Sequence, residues 1–215
     1  MRALVSSVEG AGSQVRVIGF GGMVVMPREV TFRRVNRFLR RAVRLVRGAM
    51  VSARIISAGG SVGRLLEVES GFHFRVPPGP GIHLGSRVYM GYNVILEVFP
   101  DAGLRIGDRV KIMHGVIVAA ANQISIGADT QIAEYSSIRD SEHGLEIGAL
   151  VADQTVRGVV DIGDDVWVGR GCAVLPGAVL GSGAVLGANS VLKRTVPPLA
   201  IAVGAPARVI RTRGD

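Results

Sequence analysis

Aliphatic residues recur at every sixth position from Ile162, through Val168, Val174, Leu180, Leu186 and Leu192. Four residues after each anchor stands a small or branched side chain: Val166, Cys172, Ala178, Ala184 and Ser190. One large and one small inward position per six-residue step predicts short strands, each stacked on its equivalent one coil away around a narrow interior. That is a parallel β-helix. The same beat runs upstream at Val76, Ile82, Val88 and Val94, at Ile106, Ile112 and Val118, and in a shifted frame at Ile126, Ile132 and Ile138. The solenoid therefore fills most of the chain. Two interruptions break it: the step from Val118 to Ile126 holds two residues more than the repeat needs, and after Ile138 the beat is lost until Val156. A regular rod takes up extra residues only as loops leaving an edge, so chemistry is expected there.

Ahead of the repeat, Val35, Phe38, Leu39, Ala42, Val43 and Val46 fall at helical spacing among Arg33, Arg34, Arg37, Arg40, Arg41, Arg44 and Arg47. This predicts a basic amphipathic helix over about residues 28–48, ended by Gly48. Two uses fit it. The apolar stripe packs on the end of the solenoid with the arginines in water, or the helix attaches to an anionic membrane surface or recruits an anionic substrate. The formal charge of +8 owes much to this segment. Nucleic acid is not expected, because the basic face lacks interleaved aromatics and no recognition module is present. The apolar stretch from Val15 to Met26 is broken by Gly19, Gly21 and Gly22, too short to span a bilayer and without a convincing cleavage site. A cytoplasmic protein is the expectation, with the arginine-rich helix offering a place at the inner face of the membrane.

At 215 residues and 48% hydrophobic the chain buries one core. Its 30 glycines read as corner residues that reach positive φ. The single cysteine, Cys172, excludes an intrachain disulfide, and its place in the small-residue series makes it a packed thiol without a catalytic role.

Three features of the run from Asp161 to Ile210 are specific: Val166-Trp167-Val168-Gly169, the exit from Lys193 to Pro198, and the close Gly204-Ala205-Pro206-Ala207-Arg208-Val209-Ile210. The run resembles the C-terminal half of hexapeptide-repeat O-acetyltransferases, the family of the maltose, galactoside and polysaccharide acetyltransferases. With the weaker repeats from residue 82 onward, the resemblance covers about 60% of the chain. It implies an all-β fold, a left-handed parallel β-helix with the N-terminal amphipathic helix added. It also implies a homotrimer with active sites at the subunit boundaries, and acetyl-CoA in a groove between neighbouring β-helices. The hand comes from the resemblance, since periodicity serves either hand. Residues 1–55 then form an N-terminal extension, 56–195 the β-helix with an active-site loop over about 139–158, and 196–215 an exit segment closing the cofactor site.

The resemblance also distributes roles. The phrase SIRDSEHG is similar to a SIRDHDH-like phrase of polysaccharide acetyltransferases and makes His143 the general base, taking the acceptor hydroxyl proton during attack on the thioester and passing it to the leaving thiolate. Asp140 or Glu142 would fix its tautomer. Ser141 departs from the pattern, which often has a second histidine there. Lys193, Arg194, Arg208 and Arg211 match basic positions that meet the cofactor's 3′-phosphate and pyrophosphate, or are a solvated basic tail. Ala188 matches a position lying against the pantetheine arm. Arg170 stands where relatives carry a small residue touching the cofactor, a second departure. Trp167 lies beside the groove or simply packs. Asn93, in the phrase GYNV, donates to the developing oxyanion or is a corner asparagine with a left-handed backbone.

The same solenoid carries γ-type carbonic anhydrases, whose zinc ligands include two histidines five residues apart. His73, His83 and His114 lack that spacing, so no catalytic metal is expected and they read as outward-facing or corner residues. The expected activity is acetyl-CoA-dependent O-acetylation of a sugar hydroxyl on a surface polysaccharide or glycolipid precursor. The alternatives are an amino-sugar N-acetyltransferase, an antibiotic or longer-chain acyltransferase, and a trimeric β-helical scaffold without chemistry. The first 55 residues lie outside the resemblance, and either cover the open end of the solenoid or shape the acceptor pocket.

Overall fold

The computed structural model describes residues 14–19, 22–147, 150 and 155–215. By its contacts the chain divides into two compact units, Met1–Val43 and Arg44–Asp215. In the first, β1 (Gln14–Gly19) pairs antiparallel with β2 (Gly22–Pro27), and α1 (Arg28–Ser57) begins.

The second unit is a parallel β-solenoid of about six coils. Each coil lays one strand on each of three faces. The first coil is β3 (Ser61–Val62), β4 (Glu67–Val68) and β5 (His73–Phe74). The second is β6 (Ile82–Leu84), β7 (Tyr89–Met90) and β8 (Ile95–Val98); the third is β9 (Gly103–Ile106), β10 (Lys111–Ile112) and β11 (Ile117–Ala120). The fourth, β12 (Gln123–Ile126), β13 (Gln131–Ile132) and β14 (Ser137–Arg139), is followed by an antiparallel hairpin, β15 (Ser141–His143) with β16 (Thr155–Arg157). Stacking then resumes with β17 (Val159–Ile162), β18 (Trp167–Val168) and β19 (Ala173–Val174), and continues with β20 (Val179–Leu180), β21 (Val185–Leu186) and β22 (Val191–Leu192). β23 (Thr195–Val196) and β24 (Ala200–Gly204) extend two faces, and β25 (Ala207–Thr212) folds back antiparallel on β24.

The sixfold beat is the inside of this rod. Every anchor from Ile162 to Leu192 is buried, as are Ile106, Ile112, Val118, Ile126, Ile132 and Ile138; of the upstream anchors Val76 is half-buried. The small positions Val166, Cys172, Ala178, Ala184 and Ser190 are buried with them. Burial pushes the Cys172 thiol up, away from the thiolate, as a packed core cysteine requires.

Only some of the glycines do the work expected of them. The column Gly63, Gly85, Gly107, Gly127, Gly163 and Gly181 runs along one corner, and a Cβ at any of them would come within 2.7 Å of the next coil. Close approach, not positive φ, excludes a side chain there. Positive φ is met by other glycines, among them Gly115, Gly171 and Gly183, and by non-glycine corner residues such as Asn93, Asp129, Tyr135 and Asn189. For these four non-glycine residues the backbone makes a compensating bond. The N–H of each donates to a carbonyl of the coil before, which offsets the steric cost of that conformation.

The helix differs from expectation in extent and orientation. It runs to Ser57, past Gly48, because Gly48 is a contact residue: a Cβ there would lie 1.8 Å from the Leu66 carbonyl oxygen. From Arg44 onward, α1 covers the first coil with Val51 and Ile55, which join the core beside Leu66 and Val68. Arg44, expected in water, donates to Glu67 at 2.9 Å and Glu69 at 3.3 Å. Partial burial works against its charge, but the two carboxylates outweigh it and raise its pKa. Of the expected packing stripe, Phe38, Leu39, Val43 and Val46 are instead exposed.

Candidate active site

The two interruptions seen in the sequence are one structure. At the second, the chain leaves the fourth coil after Asp140 and returns at Gly158, whose N–H donates to the Asp140 carbonyl at 2.7 Å. At the first, the surplus residues Ala121 and Asn122 direct their N–H groups at the Asp140 carboxylate, 2.7 Å to Oδ1 and 2.8 Å to Oδ2. The Asn122 side chain donates to the Gly158 carbonyl at 2.8 Å and closes the neck. Asp140 is fully buried, and both its oxygens are committed to this backbone. Asn122 is a contributor that motif reading missed; the two-residue surplus before Ile126 was its only trace in the sequence.

Beyond the neck, β15 carries Ser141, Glu142 and His143, opposite Arg157, Val156 and Thr155. His143 is exposed and Glu142 half-buried. Glu142 pairs with the ammonium of Lys193, which follows β22 two coils further along the rod. The hairpin bearing the candidate base is thereby tied to the basic exit segment. The loop residues expected at 148, 149 and 151–154 lie outside the described residues.

The remaining candidates fall elsewhere. Trp167, 57% exposed, stands on the second face in register with Gln131 and Val185. Arg170 lies at the next corner with its guanidinium 5.4 Å from the centre of the Tyr135 ring. Ala188 is exposed one coil beyond, its N–H against Gly169, where a Cβ would come within 2.7 Å. Arg194 follows Lys193 and is exposed, and Arg208 and Arg211 are exposed on β25. Asn93 sits at a corner of the second coil with φ 56°, two coils from the one that leads into β15 and at a different corner. A single chain therefore gathers His143, Glu142 and Lys193 but leaves Trp167, Arg170, Ala188 and Asn93 on other sides of the rod.

The other histidines are dispersed. His83 Nδ1 is 2.8 Å from the Ser61 hydroxyl on the first face, His114 Nδ1 accepts from the Tyr92 N–H at 3.0 Å at a corner, and His73 is exposed on the third face. Among the described residues, no group of three or more His, Cys, Asp and Glu is arranged to hold a metal. No helix among them is long and apolar enough to cross a membrane.

Comparison with known proteins fits this architecture. Residues 160–194 match the family model described as bacterial transferase hexapeptide (six repeats). A protein of Escherichia coli assigned to lipopolysaccharide biosynthesis as an O-acetyl transferase is 31% identical over 60% of this chain and 71% of its own. A protein of Mycobacterium tuberculosis named as an acetyltransferase is 30% identical over 82% of this chain, which spans 58% of that protein's length. Among solved structures, a maltose O-acetyltransferase from Clostridium difficile superposes with TM-score 0.51 at 28% identity, over 75% of this chain and 73% of its own. A mutant N-acyltransferase from Bacillus cereus, in complex with dTDP-4-amino-4,6-dideoxyglucose and coenzyme A, superposes with TM-score 0.64 at 21% identity, over 76% and 89%. The chain belongs to the hexapeptide-repeat transferase family.

Proposed function

We propose that this protein is an acetyl-CoA-dependent O-acetyltransferase acting on a sugar hydroxyl, on a surface polysaccharide or glycolipid precursor, with His143 as general base. The observation that carries the reading is the hairpin β15–β16, which leaves the solenoid at a closed neck, presents His143 to solvent and is bonded through Glu142 to Lys193. The lipopolysaccharide-associated relative and the maltose O-acetyltransferase supply the acceptor class. His143 accepts the hydroxyl proton as the acceptor oxygen bonds to the thioester carbonyl carbon. It returns that proton to the sulfur as the carbon–sulfur bond breaks. Asp140 fixes the neck from which His143 projects, while Glu142 and Lys193 set the course of β15.

Lys193, Arg194, Arg208 and Arg211 are the cations offered to the phosphates of acetyl-CoA, and Trp167, Arg170 and Ala188 the wall for its pantetheine arm. Because one chain holds Trp167, Arg170 and Ala188 on sides of the rod remote from the hairpin, the complete site needs a second copy. A homotrimer with the site at each boundary is the assembly proposed. The amine-acceptor alternative draws on the Bacillus cereus fold neighbour, and competition between a hydroxyl and an amine acceptor separates the two.

Calorimetric titration of acetyl-CoA tests the donor site without knowledge of the acceptor. Saturable binding, weaker for dephospho-CoA and for the Lys193→Ala, Arg208→Ala double variant, is the expected result; absence of binding to the wild type removes the proposal. With an acceptor in hand, His143→Ala keeps the fold and loses transfer on the order of 100- to 10,000-fold. Retention of near wild-type turnover would end its role as base.

A further inference from the structure

The register of the hairpin sorts its side chains between two sides. In an antiparallel pair, directly opposed residues point the same way and successive residues alternate. Ser141, His143, Thr155 and Arg157 therefore share one side of β15–β16, while Glu142 and Val156 share the other. Glu142 is engaged on its side by Lys193. Within the two strands, the side that carries the candidate base has one further charged group, the Arg157 guanidinium.

Arg157 is exposed and stands at the foot of the hairpin. The next residue, Gly158, donates to the Asp140 carbonyl at 2.7 Å and accepts from the Asn122 side chain at 2.8 Å, which fixes the backbone from which the guanidinium extends. His143 lies opposite Thr155, so Arg157 is its diagonal neighbour, about 7–8 Å away on an antiparallel ladder. A hydroxyl held at the imidazole and a group held at the guanidinium are then separated by roughly the span of a substituted sugar ring. The two acids of the adjoining phrase are committed elsewhere: both Asp140 oxygens meet the N–H groups of Ala121 and Asn122, and Glu142 meets Lys193. A guanidinium presents a planar fork that matches the paired oxygens of a carboxylate or phosphate, so its chemistry selects an anion.

We infer that Arg157 determines acceptor specificity, seating an anionic group of the acceptor, a carboxylate or a phosphate, while His143 meets the hydroxyl. The acceptor is on this account an acidic or phosphorylated saccharide and not a neutral sugar. This rests on the transferase reading, which it narrows from sugars in general to anionic ones.

Binding is the first test, because it needs no turnover. With isotope-labelled histidine, the His143 ring signal, identified by its loss in His143→Ala, is followed while glucose, glucuronate or glucose 1-phosphate is added. Saturable displacement by glucuronate, by glucose 1-phosphate or by both is expected, with glucose ineffective at the same concentration. Which anion acts tells a uronic acid from a sugar phosphate. Arg157→Ala should weaken that binding on the order of tenfold, and Arg157→Lys by less, since an ammonium keeps the charge but not the fork. Arg157 is exposed, so circular dichroism should show an unchanged melt, and calorimetry an unchanged affinity for acetyl-CoA. Glucose as effective as the anions, no displacement by either anion, or undiminished binding in Arg157→Ala would each overturn the role of Arg157. Anion binding without any acetyl-CoA binding would remove the transferase reading and the acceptor role with it. An intact acetyl-CoA site without Arg157-dependent anion binding would remove the role of Arg157 alone.

Discussion

Asp140 illustrates how one carboxylate can do a structural job inside a candidate catalytic motif. Its two oxygens hold the N–H groups of Ala121 and Asn122, so Asp140→Ala orphans two donors at the neck. The expected loss is about 1–3 kcal/mol for each orphaned N–H that stays buried, seen as a lower melting midpoint and faster exchange of both amides. An unchanged midpoint with unchanged exchange would contradict the assignment. Gly127→Ala tests the glycine column in the same currency. A Cβ 2.4 Å from the Gly163 carbonyl carbon forces adjacent coils apart and should cost about 1–3 kcal/mol, whereas a φ-based account predicts no such packing strain. The residues of the phrase SIRDSEHG could be picked out in the sequence, but the division of labour among them could not. Which carboxylate meets backbone and which meets Lys193 depends on coils 18 and 19 residues before and 51 after in the chain.

On the scale of the element, α1 separates what periodicity conveys from what it does not. Spacing reveals that a helix has an apolar side, yet Val51 and Ile55 lie beyond the glycine taken as its end, and they are the residues that pack. Gly48 punctuates a helix when its left-handed conformation is used; here its lack of a side chain lets the helix approach Leu66. Substitutions distinguish the two faces. Ile55→Ala should destabilise the solenoid by about 2–5 kcal/mol, while Met50→Ala should change the melt by less than about 0.5 kcal/mol. Equal effects at both positions would mean that the outer face is covered in the free protein.

On the largest scale, the second unit is a solenoid whose stacking passes the insertion undisturbed. β12, β13 and β14 pair in parallel with β17, β18 and β19, and Thr130 and Ser136 bond across the same boundary to Gly163, Val166, Gly169 and Cys172. This much was legible, because a sixfold beat dictates the inward positions of every coil and hence the fold. Assembly was not, since residues on the outer faces obey no period. If the site lies between copies, co-expressing His143→Ala with Trp167→Ala chains should restore activity at roughly a quarter of the sites, each mutant alone being impaired. No restoration would confine the site to one chain.

Asp140 and Gly158 stand within hydrogen-bonding distance, so excising residues 141–157 and joining the two ends should yield a folded but inactive rod. By the same geometry the neck is a socket. Any segment whose ends close to that separation can be spliced there without renegotiating the core, so the solenoid can be made by design to carry a foreign loop at this one place.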